Sequence, residues 1–434
     1  MPTRHATSAH LRGPRHARHL VDRKVLRAVS LTLTAVLLLG ASSFAALAAK
    51  LNSNIHQVDV NSLLGDPSPT NGATVEVAPT DPNAGRPINI LVLGSDQRNG
   101  ANAAIGGADG GSMNSDTAIV LHISANRDRV EAVSIPRDSL VDIPACQGTN
   151  GKKSWPQTSA MFNSAFGIGW QLGQDVASAA ACTGRTVQNN TGLKIDHTIV
   201  VDFAGFQAMV NAVGGVNICI PRPLHDTYTG LDLAAGQQTL NGVQALQFAR
   251  ARHGNIGNGG DLDRIGDQQR LIAAIATQVL SADTLANPAK VTSFLSAATS
   301  ALTVDKGLNL MTLSGIAYSL RSIRANDITF MTIPVLTAPS NPNRLIWAPA
   351  AKTVWADMVA DKPIAGADAP AAGSSSTGSS GTPSSRPATG AAAGAVAAPS
   401  TAATPATSTI PTPAQTKVAG QQPFTPADVT AVCH

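Results

Sequence analysis

Asp96 and Asp116 each stand at the end of an apolar run, in Gly94-Ser95-Asp96-Gln97-Arg98 and Asn114-Ser115-Asp116-Thr117. If the two runs are neighbouring strands, the carboxylates meet at one sheet edge. Such a pair suits a hard cation, Mg²⁺ (or Mn²⁺), which takes one or two carboxylates together with phosphate oxygens. Turn and strand-cap chemistry is the ordinary alternative for these aspartates. Arg137 follows a third run, in Ile135-Pro136-Arg137-Asp138, and Arg250 and Arg252 stand in Ala249-Arg250-Ala251-Arg252-His253. A guanidinium presents forked donors that match phosphate oxygens. One such arginine is ordinarily a surface or ion-paired residue, but several converging on one place make an anion site. His225 and His253 are general bases by type, and neither has a partner identifiable in the sequence.

The segment after Gly259-Gly260 is the most informative. On a helix at 100° per residue, Ile265, Ile272, Ile275 and Val279 define a buried face. Asp261, Arg264 and Gln268 fall on that same side, and Asp263, Asp267 and Arg270 fall on the opposite side. The first turns therefore point polar groups inward, where later turns point aliphatic ones. Inward polar groups need partners or a solvated pocket. An N-cap role accounts for Asp261 but not for Arg264 or Gln268.

These residues need elements to hold them. Ile88–Leu93 reads as a buried strand, and Thr117–Ile123 and Val130–Ile135 as two more, joined by a turn at 124–129. Thr198–Asp202 and Val216–Ile220 read as strands. Helices are expected at about 204–212, ending at 249, over Leu262–Ser281 and over 308–324. Mixed strands covered by helices predict an α/β fold, a three-layer α/β/α domain over residues 86–361 with a central mixed sheet. There is no nucleophile elbow, P-loop, zinc motif or dinucleotide fingerprint.

The chain has 434 residues and a formal charge of +4 from 31 Lys+Arg and 27 Asp+Glu. Residues 1–27 hold seven of those cations and one acid, so this basic arm carries +6 and the remainder, by difference, −2. That distribution excludes a basic nucleic-acid-binding domain. Residues 28–49 form an uncharged apolar run long enough to be one transmembrane helix. The cation bias puts the N-terminus in the cytoplasm and the rest outside the cell, which localises the protein to the cell membrane. Ala46-Leu47-Ala48 resembles a signal-peptide cleavage site, but the length of the run favours an uncleaved anchor. Residues 50–85 read as a stalk, and 362–434 as a low-complexity, disordered linker with a short tail. The four cysteines fit an oxidising compartment. Of three possible pairings, Cys146–Cys182 is preferred, with Cys219–Cys433 tying back the tail.

Taken together, Leu93–Arg98, Ser115-Asp116-Thr117, Ser134–Asp138, Phe162–Phe166, Gly214-Gly215-Val216, Ala249–His253 and Asp261–Gln269 resemble, in order and spacing, the LytR-CpsA-Psr family of cell-wall ligases. The resemblance implies a membrane-anchored, extracytoplasmic phosphotransferase. It would move a glycopolymer from a polyprenyl-pyrophosphate carrier to peptidoglycan through a phosphodiester. It places Asp96 and Asp116 by the metal and as proton acceptors. Arg98, Arg137, Arg250, Arg252 and Arg264 stand by the pyrophosphate, Asp261 orients them, and Gln268 makes a second contact. A phosphatase releasing the chain to water, and a non-catalytic wall-binding or regulatory protein, are the alternatives. Three positions depart from the pattern. Asn114 and Met161 stand where the family often has Arg and Lys, and Asp267 where it often has Arg. An apolar channel for the lipid is expected between sheet and helices.

Overall fold

The computed structural model of the chain describes residues 23–65, 81, 83–97, 101–106, 113–253, 261–364, 417 and 419–430. Helix α1 (Arg23–Asn54) contains the apolar run. The stretch Arg27–Asn54 is apolar enough to cross a membrane, and at 1.5 Å per residue it rises about 42 Å, more than the roughly 30 Å hydrocarbon layer.

Residues beyond α1 are built round a seven-stranded mixed sheet. Its strands are β1 (His56–Val58), β2 (Ile88–Ser95), β3 (Ser115–Ile123), β4 (Val130–Ser134), β5 (His197–Val201), β6 (Leu302–Asp305) and β7 (Ile328–Thr332). Their order across the sheet is β1-β6-β5-β2-β3-β4-β7. The β2–β3 and β3–β4 pairs are antiparallel, and β2–β5, β4–β7 and β1–β6 are parallel. Successive side chains alternate faces. Leu91 and Leu93 join Val120 and Val133 in one core, and Ile88 and Ile90 join Ile123 in another. Burial on both faces explains why β2 reads as an unbroken aliphatic run rather than an alternating one.

Helix α2 (Val176–Thr191) belongs to the first layer, where Ala179, Cys182 and Val187 meet Leu91 and Phe166. The opposite layer contains α3 (Phe203–Ala212), α4 (Gly242–Arg250) and α5 (Asp261–Val279). This is the expected three-layer α/β/α arrangement. Asp175 and Asp202 cap α2 and α3 by accepting backbone N–H groups, and Asn241 with Gln244 forms a capping box on α4.

Several expectations need correction. The stalk reading of 50–85 gives way at His56, because β1 pairs with β6 as the sheet edge, and Val60 is buried in the core. The domain also runs past Asp361, since the Ile364 N–H donates to the buried Glu131. The C-terminal residues are not a bare tail. Phe424 bonds to Phe330 through both backbone groups, and the Gly420 N–H donates to Gln269 Oε1. Gly266 admits this contact: a Cβ there would stand 2.5 Å from the Ala419 carbonyl oxygen. The expected helix over 308–324 is the shorter Leu310–Ser319. Finally, Asp267 and Arg270 do not face solvent. They pair at 3.2 Å, and Arg270 also donates to the Cys219 carbonyl of the strand Val216–Ile220.

The Cys146–Cys182 disulfide is present, with Cα atoms 5.2 Å apart. Cys219 is also disulfide-bonded, whereas Cys433 lies outside the described residues, as do residues 1–22 of the basic arm and 365–416 of the linker.

Candidate active site

The β2–β3 pair ends in a bulge. Gly94 pairs with Thr117 but Ser95 pairs with Ser115, leaving Asp116 as the extra residue. Bulges at sheet ends re-aim side chains, and Asp116 here lines a cavity with 43% of its side chain exposed. Asp96 follows β2 at the same end. Its N–H donates to the Asn114 carbonyl at 3.1 Å, and its carboxylate accepts the Asn114 N–H at 2.7 Å. Both aspartates line the one cavity, as the sequence pattern requires for neighbouring strands. Asp202, at the end of parallel neighbour β5, lines it too. Its carboxylate is taken up by the Gly205 N–H and the Asn102 amide.

Arginines surround Asp116. Arg137, just past β4, donates from Nη1 to Asp116 Oδ1 at 2.7 Å, and its backbone N–H donates to Asp261 Oδ2 at 3.1 Å. Arg264, one turn into α5, is 4% exposed and pairs with Asp261. Its Nη2 also approaches the Asp116 carbonyl at 3.5 Å. Among the described residues, the buried Nε atoms of both Arg137 and Arg264 lack a hydrogen-bond partner, although Arg137 Nε is 3.4 Å from Asp261 Oδ1. Buried donors without acceptors cost free energy unless something else supplies the acceptor. Burial would raise the Asp116 carboxyl, but the Arg264 and Arg137 guanidiniums outweigh it and hold the group below its usual range. At Asp261 burial wins over the same arginines and pushes the carboxyl up.

Arg250 and Arg252 also line the cavity. Arg250 ends α4 with its guanidinium 4.5 Å from the centre of the Phe203 ring, a cation–π contact. Arg252 is set by Asp226, whose Oδ2 accepts the N–H groups of Arg252 and His253 at 2.7 and 2.8 Å. Its Oδ1 accepts those of Tyr228 and Thr229. Burial would raise Asp226, and these four bonds overcome it and lower the carboxyl. Gln268 joins β3 to α4, accepting from Thr117 Oγ1 at 3.2 Å and donating to the Ala249 carbonyl at 3.0 Å. Seven of the nine expected site residues line this cavity and Asp261 pairs with two of them, while Arg98 lies outside the described residues.

Behind this polar mouth the cavity is apolar, about 340 Å³, between Ile119 and Leu121 of the sheet and Phe206, Met209, Leu271 and Ile272 of the helices. An apolar cavity thus stands at the sheet–helix interface, where the lipid channel was expected. Neither histidine lines it. His253 packs against the Tyr228 ring at 5.0 Å, and His225 faces Asp232 on the exposed surface. Sequence reasoning missed Asp226, Tyr228 and Phe203. Asp226 carried one faint signal, an Asx-turn pattern before Tyr228-Thr229.

Residues 47–356 match the LytR_cpsA_psr family, well over half of the chain. The chain belongs to the LytR-CpsA-Psr family. It is 32% identical over 266 residues to the cell wall biosynthesis protein LcpA of Corynebacterium glutamicum, covering 57% of this chain and 50% of that one. It is 34% identical over 194 residues to the polyisoprenyl-teichoic acid–peptidoglycan teichoic acid transferase TagU of Oceanobacillus iheyensis, covering 45% and 52%. The chain thus spans about half the length of these curated relatives. Among solved structures, the LytR-Csp2A-Psr enzyme from Actinomyces oris aligns with TM-score 0.49 at 19% identity, covering 70% of this chain and 95% of that one. At Asn114, one of the three positions expected to depart from the family pattern, the backbone N–H and carbonyl clasp Asp96. The departing Asp267 is committed to Arg270.

Proposed function

We propose that this protein is a single-pass, membrane-anchored extracytoplasmic phosphotransferase. It transfers a glycopolymer from a polyprenyl-pyrophosphate carrier to a hydroxyl of peptidoglycan, forming a phosphodiester. One observation carries the reading: an apolar cavity whose mouth holds Arg137, Arg250, Arg252 and Arg264 beside Asp96 and Asp116. The apolar body suits a polyprenyl chain, and the guanidinium groups that line it suit the pyrophosphate at its head.

The acceptor oxygen bonds to the phosphorus that carries the glycan, the bridging P–O bond breaks, and polyprenyl phosphate leaves. The hydroxyl proton passes to a carboxylate at the mouth, Asp96 or Asp116. No protein nucleophile is needed, because phosphoryl transfer depends on positioning and charge stabilisation. Arg264 and Arg137 would neutralise charge on the leaving phosphate, and Asp261 holds both in place through its two oxygens.

Asp96 and Asp116 would hold a Mg²⁺ or Mn²⁺ ion. Among the described residues no group of three or more acidic, His or Cys side chains converges. Such an ion would take the rest of its ligands from substrate phosphates and water. When bound, such an ion supplies charge neutralisation at the pyrophosphate oxygens.

The test supplies the full-length protein with lipid-linked glycan and peptidoglycan. Covalent glycan–peptidoglycan product that disappears in Arg137→Ala is expected. Glycan phosphate released to water without that product would assign a phosphatase instead. Glycan attachment unchanged by Arg137→Ala and Arg250→Ala would assign a binding or regulatory protein.

A further inference from the structure

Arg137 and Asn163 bracket a hairpin. From Arg137 the chain runs out along Leu140–Ile143 and returns antiparallel along Gln157–Met161. Its base is closed by the Asn163 N–H donating to the Arg137 carbonyl at 3.2 Å. The tip, residues 144–156, is tied down. Cys146 is bonded to Cys182 of α2, the Thr149 N–H donates to Ser178 Oγ at 2.9 Å, and Asn150 Nδ2 donates to the Leu172 carbonyl at 2.6 Å. On this fixed tip Trp155 is 88% exposed.

A lone exposed apolar side chain is ordinary, so the neighbours decide. Lys152 and Lys153, both exposed, are the only charged residues from 144 to 160. Exposed Gln157 and Thr158 follow. The tip thus offers a flat aromatic face, two cations and amide and hydroxyl groups on a loop tethered by a disulfide and two hydrogen bonds. We propose that it is a subsite for the acceptor, a peptidoglycan glycan strand. Trp155 stacks on a sugar ring, and Lys152 and Lys153 meet the carboxylates that the strand carries. This rests on the transferase reading of the site.

An anionic membrane surface also attracts lysine and tryptophan, but a loop that inserts into lipid presents several apolar side chains together. Here the exposed side chains around the indole are polar or charged, apart from Pro156. Trp155 lies eight residues from Asn163, a span of no more than about 29 Å even if fully extended. A strand of several sugars seated on the tip can bridge a separation of that size to the mouth, so longer strands are expected to gain from the subsite more than disaccharides do.

The test titrates full-length protein in detergent with soluble peptidoglycan strands of defined length, and separately with anionic phospholipid vesicles. Trp155→Ala is expected to weaken long-strand binding about tenfold and to leave polyprenyl-pyrophosphate binding unchanged. Lys152→Ala/Lys153→Ala weakens only strands with free carboxylates. Strand binding by Trp155→Ala equal to wild type, or a loss seen on vesicles but not on strands, overturns the subsite. Failure of the transferase reading registers separately, as absence of glycan transfer by the wild type while strands still bind.

Discussion

Arg127 and Arg137 are ten residues apart, on either side of β4, and they live opposite lives. Arg127 sits in the β3–β4 turn with its guanidinium consumed. Its Nε and Nη2 both donate to Asp81, and its other donors reach the carbonyls of Arg86, Ser124 and Asn83. Arg137, at the other end of β4, shares Asp116 and Asp261 with Arg264, and both arginines keep a buried Nε without a partner beside a cavity. The first arrangement closes the fold. The second leaves two buried Nε donors without a hydrogen-bond partner, on arginines that line an apolar cavity. Burial of an arginine does not tell the two roles apart; the completeness of its hydrogen bonds does.

If this contrast is sound, exchanging the two arginines for alanine has opposite signatures. Arg137→Ala is expected to cut glycan transfer about 100- to 1000-fold, read in the transfer assay on folded protein. Arg127→Ala strands the buried Asp81 and is expected to cost about 3–5 kcal/mol, read by denaturant unfolding, with activity per folded molecule near wild type. Equal activity losses in the two variants would erase the distinction.

The contrast also explains what could be read from the chain. The period of Ile265, Ile272 and Val279 put Arg264 and Gln268 inward correctly, because one helix obeys one period along its length. The same projection put Asp267 and Arg270 in solvent and failed. It cannot know that the strand Val216–Ile220 packs on that face and that Arg270 donates to Cys219. Asp116 was legible as a strand-end acid, but its aim depends on a bulge register that no spacing encodes. The edge strand His56–Val58 was read as stalk because three residues in a polar stretch carry no periodicity. Asp226 was missed because all four groups it binds are backbone N–H groups.

Removing the Cys146–Cys182 bridge, which spans 36 residues, sharpens the comparison in a third place. A loss of about 3–4 kcal/mol is expected from loop entropy, visible as a lower unfolding midpoint, with the affinity for polyprenyl pyrophosphate unchanged. Asp226 links the two classes, since it is a structural anchor for a site arginine. Its carboxyl is lowered in the fold, so the stability it supplies is complete above the ordinary aspartate value of about 3.9. That stability is lost as the pH falls through the lowered folded value. Asp226→Asn is expected to flatten the acid limb of the stability–pH curve and to weaken anion binding by several-fold through Arg252. An unchanged acid limb would contradict the assignment. Gln268→Ala, which removes a neutral bridge between Thr117 and Ala249, should cost transfer only about tenfold or less.

The most direct measurement is the affinity of full-length protein for a polyprenyl pyrophosphate, compared across wild type, Arg127→Ala, Arg137→Ala and Arg264→Ala. The account predicts that Arg137→Ala and Arg264→Ala each lose affinity at least about tenfold, while folded Arg127→Ala binds as wild type does. Wild-type affinity in Arg137→Ala and Arg264→Ala would contradict it.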